Sequence, residues 1–148
     1  MKIADIMTKQ VHTITPDKTL RECTQILKQR SVNGLVVVEK EKVAGIITKT
    51  DLFKAILPSY ADIIEDERNI ASFEYIEERA HRLYDIKVRD FMGAPLITVN
   101  SDMPVIKAGS LMILRRVKQL PVVDNGALKG IVTLTDIMNA IADKLGKA

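Results

Sequence analysis

The sequence predicts an α+β protein made of two copies of one β-α-β-β-α unit, packed face to face about a pseudo-twofold axis, with a helical insertion between them. Three observations carry this prediction. Displaced by 85 residues, the chain matches itself from Ile3–Leu57 to Val88–Ala142 without a gap, and sixteen of the 55 aligned pairs are identical. Within each copy the apolar residues alternate between short continuous runs and three- or four-residue spacing. Turn-forming residues fall between those runs at corresponding places. Neither copy easily covers its own sheet, so pairing is expected to bury the remaining face. The boundaries are 1–58 for the first copy, 59–84 for the insertion and 85–148 for the second copy.

Each copy opens with a short helix. Val11 to Thr15 is then a β-rich run stopped by Pro16, and Thr19 to Arg30 carries Leu20, Cys23, Ile26 and Leu27 at helical spacing. Leu35 to Val38 is a continuous aliphatic run, the pattern of a strand buried on both faces. Val43 to Thr48 follows after the polar turn Glu39 to Lys42. In the second copy the same turn reads Asp124, Asn125, Gly126, a stronger hairpin signal. Leu52 to Leu57 and Ile137 to Leu145 close the two copies as helices. Between them, Ser59 to Tyr84 is charged, with Ile63, Ile64, Ile70, Phe73, Ile76 and Leu83 at roughly helical intervals, which predicts a helical arm rather than a flexible linker.

Composition narrows the function. The 47% apolar content suffices for a shared core, and no apolar run approaches the length of a membrane span. The start, MKIADIMTK, lacks the apolar core of a signal peptide, so the expected location is cytoplasmic, with no membrane partner. The net charge of +3 comes from 22 basic and 19 acidic residues mixed along the chain, and aromatics make up 4%. A nucleic-acid partner, which calls for a basic stripe or stacking platforms, is not expected. The single cysteine, Cys23, excludes an intramolecular disulfide and reads as a buried packing residue.

The most informative repeat is GIITKTD, Gly45 to Asp51, which returns as GIVTLTD, Gly130 to Asp136. Thr48 with Asp51, and Thr133 with Asp136, spell a helix capping box, a sufficient structural reason for those four residues. It does not require Thr50 and Thr135, nor a glycine inside a strand, where glycine marks close approach of a ligand or of another backbone. Hydroxyls and free N–H groups at a helix start also suit phosphate oxygens, and an ionised carboxylate there accepts from the paired hydroxyls of a ribose.

In order and twice over, the chain carries DIMT and RDFMG, TITPDKTL and TVNSDMPV, SVNGLVVV and RVKQLPVV, and GIITKTDL and GIVTLTDI. It resembles a tandem pair of CBS domains, the module named after cystathionine β-synthase, of the stand-alone prokaryotic type, over everything except the arm. The resemblance implies two clefts between the repeats that bind adenosine-containing ligands such as AMP, ADP, ATP or S-adenosylmethionine. In one cleft Asp136 would hold the ribose hydroxyls, Thr133 and Thr135 would reach ribose or phosphate, and Thr15 would sit by the base or phosphate. Asn33 and Lys118 would line the middle of both clefts, and the second cleft would use Asp51, Thr48, Thr50 and Asn100. Asn100 and Ser101 stand where the first repeat has Thr15 and Pro16, which favours the Asp136 cleft. Val36 likewise departs from Pro121 and from the family's frequent proline.

The resemblance also implies a regulatory nucleotide rather than an obligatory cofactor, a homodimer and a separate effector protein. Ile137, Met138 and Ile141 on the closing helix are candidates for the dimer contact. No catalytic constellation is present, and His12 and His81 lack partners at metal-ligand spacing. A binding module is therefore expected rather than an enzyme. The competing readings are a sensor of S-adenosylmethionine or of a cyclic dinucleotide and, in a different class, a small nucleotide-hydrolysing enzyme with Asp51 or Asp136 recruiting a metal. Arg115, Arg116 and Lys118 form the densest basic cluster, either a solvated helix end or an attraction for ligand phosphates. The charges Glu65, Asp66, Glu67, Arg68, Glu74, Glu77, Glu78, Arg79 and Arg82 read as a solvated helix face.

Overall fold

The computed structural model describes residues 1–57, 64–65, 73–92 and 96–147. The first repeat contains a 3-10 turn at Ile3–Asp5, β1 (Thr13–Ile14), α1 (Leu20–Arg30), β2 (Gly34–Glu39), β3 (Lys42–Thr48) and α2 (Lys49–Ile56). After α3 (Phe73–Tyr84), the second contains α4 (Val88–Phe91), α5 (Val105–Arg115), β4 (Gln119–Asp124), β5 (Ala127–Thr133) and α6 (Leu134–Gly146). The fold is α+β, as the sequence predicts. Helices α1 and α5, strands β2 and β4, and strands β3 and β5 occupy corresponding positions to the residue, which is the structural meaning of the gapless self-match.

β1, β2 and β3 form one sheet in that order, with β1 parallel to β2 through Thr13 opposite Val36 and Ile14 opposite Val37. β4 and β5 form an antiparallel pair in which Gln119 faces Thr133. The first strand of the second repeat shrinks to a single bridge, Val99 with Val122. Its cause is chemical. Val36 N–H donates to His12 O at 3.1 Å, whereas Pro121, at the corresponding place, has no N–H to give.

The chain divides into two compact units that differ from the repeats: Met1–Val11, Val38–Ala44 and Pro95–Ala148 in one, His12–Val37 and Gly45–Ala94 in the other. The opening segments have changed places. In the first unit Ile3 N–H donates to Met103 O (2.9 Å) and Ala4 N–H to Ser101 O (2.9 Å). In the second, Val88 N–H donates to Lys18 O (2.8 Å) and Arg89 N–H to Pro16 O (3.0 Å). These are the same two bonds displaced by one repeat. Ile3 and Val88 are fully buried where they land.

Each unit has its own core. Ile3, Val99, Val105, Ala108, Met112, Leu120, Val122, Val132 and Ile137 form the first, and Ile14, Leu20, Cys23, Leu27, Leu35, Val37, Ile47 and Val88 the second. Ile137 is 3% exposed, so the expectation that it serves a dimer contact is corrected: its side chain belongs to the core, and the exposed large apolar residues of α6 are Met138 and Leu145. α3 confirms a helix in the predicted arm. It packs on α1 and α2, Leu83 lies against the second core, and Arg79 donates to Ala55 O at the end of α2 (3.3 Å). The predicted apolar positions Ile63 and Ile70, with Asp66, Glu67 and Arg68, lie outside the described residues. Burial of Cys23 raises its thiol to about 11, which keeps it protonated and consistent with a packing role.

Candidate functional site

The closing helices begin three residues earlier than their apolar pattern suggests, because Thr48 and Thr133 cap them in extended conformation. In the first unit Asp136 N–H donates to Thr133 Oγ1 (3.1 Å), and Thr133 N–H donates to Asp136 Oδ2 (2.8 Å). Leu134 N–H, the first of the helix, donates to Lys118 O (2.8 Å). A helix start leaves its first N–H groups without internal partners. Here the box satisfies the third, Lys118 the first, and the N–H of Thr135 is left. The Thr135 side chain is exposed and Asp136 half-buried, and among the described residues no hydrogen bond holds Asp136 Oδ1.

The second unit repeats the arrangement. Asp51 N–H donates to Thr48 Oγ1 (3.2 Å), Thr48 N–H to Asp51 Oδ2 (2.9 Å) and Lys49 N–H to Asn33 O (2.9 Å). One bond differs. Thr48 Oγ1 also donates to Asp51 Oδ2 at 2.9 Å, so this hydroxyl's proton is engaged, whereas among the described residues Thr133's is not. Thr50 is exposed beside the box.

The glycines of the repeated motif answer to close approach of the chain itself. A Cβ on Gly130 would lie 2.7 Å from Thr8 O and 2.9 Å from Met7 Sδ; one on Gly45 would lie 2.7 Å from Met92 Sδ. In each unit, therefore, the strand leading to the capping box is pressed by the opening segment of the other repeat. Met7, Thr8 and Met92 are the residues that sequence reasoning missed, although the identity of Met7 with Met92 at the repeat spacing was a visible signal.

The structure thus brings Lys118 to Thr133, Thr135 and Asp136 in one unit, and Asn33 to Thr48, Thr50 and Asp51 in the other. The side chains of Asn33 and Lys118 are exposed. Thr15 and Asn100 stand at corresponding turns: Lys18 N–H donates to Thr15 O (3.3 Å) and Met103 N–H to Asn100 O (3.2 Å). The Thr15 hydroxyl bonds Asp17 and, ahead of the backbone N–H, holds its carboxyl below the ordinary value. Ser101 does for Asp124 what Pro16 cannot do in the first repeat, donating its N–H to Asp124 Oδ1 (2.9 Å). Among the described residues no three His, Cys, Asp or Glu side chains are grouped to hold a metal ion, and no helix is long and apolar enough to cross a membrane. An open apolar depression of about 250 Å³ lies against Met1, Ile106, Ala140 and Ile141, apart from either capping box.

The CBS domain family model matches residues 3–58 and again 88–143, the two repeats. The chain belongs to the CBS domain family. An uncharacterised protein of Methanocaldococcus jannaschii is 34% identical over 154 aligned positions, spanning 95% of this chain and 91% of the relative. The chain spans much less of other curated relatives, 40% and 32% of two more from the same organism. Among solved structures, a CBS-domain protein of Agrobacterium tumefaciens superposes with a TM-score of 0.74 at 21% identity, covering 95% of this chain and 92% of that one. The CBS domain pair of protein MJ0100, in complex with 5′-methylthioadenosine and S-adenosyl-L-methionine, does so at 0.71 and 24% identity, covering 97% and 98%. This CBS chain shares their fold, with its Gly-to-Asp motifs closing both repeats.

Proposed function

We propose that the chain is a regulatory sensor of an adenosine nucleotide, AMP, ADP or ATP, rather than an enzyme, and that Asp136 reads the ribose. The observation that carries this reading is the unspent chemistry at the start of α6: among the described residues, Asp136 Oδ1, the Thr133 hydroxyl proton and the N–H and hydroxyl of Thr135 have no protein partner after the box is made. A carboxylate oxygen suits two ribose hydroxyls, and donors at a helix start suit phosphate. The adenosine-containing ligands of the MJ0100 pair support the same class. The Asp51 box is the weaker twin, because its Thr48 proton is engaged by its own carboxylate.

Within one unit Lys118 accompanies Thr133, Thr135 and Asp136, and within the other Asn33 accompanies Thr48, Thr50 and Asp51, while Thr15 and Asn100 are carried over from the family pattern alone. The signal passes to a separate effector protein in the cytoplasm. Homodimerisation is supported by apolar residues exposed on two helices of one unit, Ile106, Ile113 and Leu114 on α5 and Met138 and Leu145 on α6.

The test is a thermal-shift panel of AMP, ADP, ATP, S-adenosylmethionine and cyclic dinucleotides, followed by affinities for AMP and 2′-deoxy-AMP. Asp136→Ala weakens AMP binding by roughly 1.5–3 kcal/mol, the range for hydrogen bonds to a charged group. The deoxy analogue loses part of that energy with the native protein and much less with the variant. Equal binding of AMP and 2′-deoxy-AMP by the native protein leaves Asp136 as a cap alone.

A further inference from the structure

The opening segments are held by unusual keys. Met7 Sδ sits where a Cβ on Gly130 would be 2.9 Å away, and Met92 Sδ where a Cβ on Gly45 would be 2.7 Å away. Each thioether fits only because its partner has no side chain. Both methionines are half-buried and packed against a core, Met7 against the one containing Ile3 and Met92 against the one containing Val88. Neither is sealed inside its core, while Met112, at 0% exposure, is.

We propose that Met7 and Met92 form a methionine-oxidation switch that releases the exchanged opening segments from the strands carrying the capping boxes. The co-reactant is a peroxide. Its O–O bond breaks, one oxygen bonds to the thioether sulfur, the sulfur loses two electrons, and water leaves. The product is a sulfoxide, larger at the sulfur and polar. Neither property suits a sulfur already in close contact with a glycine backbone among apolar residues. At Met7 the neighbouring link is explicit, since Thr8 and Ile131 exchange both backbone hydrogen bonds at 2.9 Å one residue away. Displacing the sulfur strains that link, and β5 runs from it directly to Thr133. The two keys occupy equivalent positions in the two units, so one oxidant acts on both. Sulfoxide reductases reverse the chemistry, which makes it a switch rather than damage.

The experiment treats the full chain with hydrogen peroxide and reads sulfoxide positions by peptide mass, melting temperature, and amide exchange of Ile131. Native protein carrying sulfoxide at Met7 and Met92 melts several degrees lower, its Ile131 amide loses protection, and methionine sulfoxide reductase restores both. The variant M7L/M92L keeps the apolar packing and the other four methionines, and its melting temperature does not respond to peroxide. Oxidised native protein that melts as the reduced protein does, with both sulfoxides confirmed, overturns the proposal. So does a variant that loses as much stability as the native chain, or a Met7 and Met92 pair that reacts no faster than Met112. Should the double variant not fold, the comparison is made within native protein, where Ile131 exchange in molecules oxidised at Met7 must exceed that in molecules left reduced there.

Discussion

Thr8 and Ile131 donate their backbone N–H groups to each other's carbonyls, both at 2.9 Å, which fixes the start of the chain to the last strand. Gly130 makes this pairing possible. At Gly130 the obstacle to a Cβ is a backbone oxygen, Thr8 O at 2.7 Å, whereas at Gly45 it is a side-chain atom, Met92 Sδ at 2.7 Å. Gly130→Ala therefore separates two hydrogen-bonded backbones and costs about 1–3 kcal/mol, the range for overpacking. Gly45→Ala costs less, because a packed side chain gives way more readily than a hydrogen-bonded backbone, although Met92 must still shift. Paired chemical denaturation curves check the order; equal losses would show that Thr8 moves as freely as the Met92 side chain.

The exchange explains why part of this molecule was readable and part was not. The strands and helices follow from apolar period and turn residues, and the caps from Thr48–Asp51 and Thr133–Asp136, all of which act within a few positions of themselves. The repeat showed that Met7 matches Met92 and that Gly45 matches Gly130. It could not show whether Met7 meets Gly45 or Gly130, because a symmetric self-match is satisfied by either pairing. Ile137 illustrates the same limit on a smaller scale: helical spacing places it on an apolar face without saying whether that face meets the core or solvent. Pro121 was legible as a departure, but its effect, a first strand reduced to one bridge, depends on His12 and Val36 bonding in the other repeat. At the candidate site the residue types were legible, while the bond that separates the two boxes, Thr48 Oγ1 to Asp51 Oδ2, depends on a hydroxyl torsion no pattern encodes.

The two hairpin turns offer a stabilising change. Lys40 and Glu41 both have positive φ, 51° and 65°, as do Asn125 and Gly126 at 51° and 80°. Asn-Gly suits this left-handed pair, and Lys-Glu does not, because each Cβ crowds the backbone there. K40N/E41G should raise stability by about 1 kcal/mol. The same pair placed at Asn125 and Gly126 in reverse, N125K/G126E, should lower it by a similar amount. Thermal melts of the two variants check both signs.

Ser101 gives the protein a predictable acid response. Its hydroxyl, then its backbone N–H, hold the Asp124 carboxyl below the ordinary value of 3.8. A carboxylate whose pKa is depressed by folding contributes stability fully above its unfolded value, and that stability is lost as pH falls through the folded one. Ser101→Ala removes the larger of the two causes. Its melting temperature should therefore trail the native protein's by a constant, small amount from pH 7 down to about pH 5, and the gap should close below pH 3.8 as Asp124 protonates. A gap independent of pH down to pH 2 would mean that the hydroxyl acts through packing alone.

Neighbouring residues on α6 should separate folding from assembly. Ile137 is 3% exposed within a core, whereas Met138 is 56% and Leu145 71% exposed on the same helix. Ile137→Ala leaves a cavity in the core that Ile137 shares with Val105 and Ala108 and costs about 2–5 kcal/mol, enough to lower the melting temperature severely. M138S/L145S removes only solvent-facing apolar surface, so the monomer's stability changes little. Its effect belongs to association: if the α5 and α6 face joins two copies, light scattering at tens of micromolar gives a dimer mass for the native chain and a monomer mass for M138S/L145S. Ile137→Ala, refolded at low temperature, keeps the dimer mass because it leaves that face intact. A native chain of monomer mass under these conditions removes the homodimer from the proposed function without touching the ribose-reading role of Asp136, since all of that box's own bonds lie within one chain.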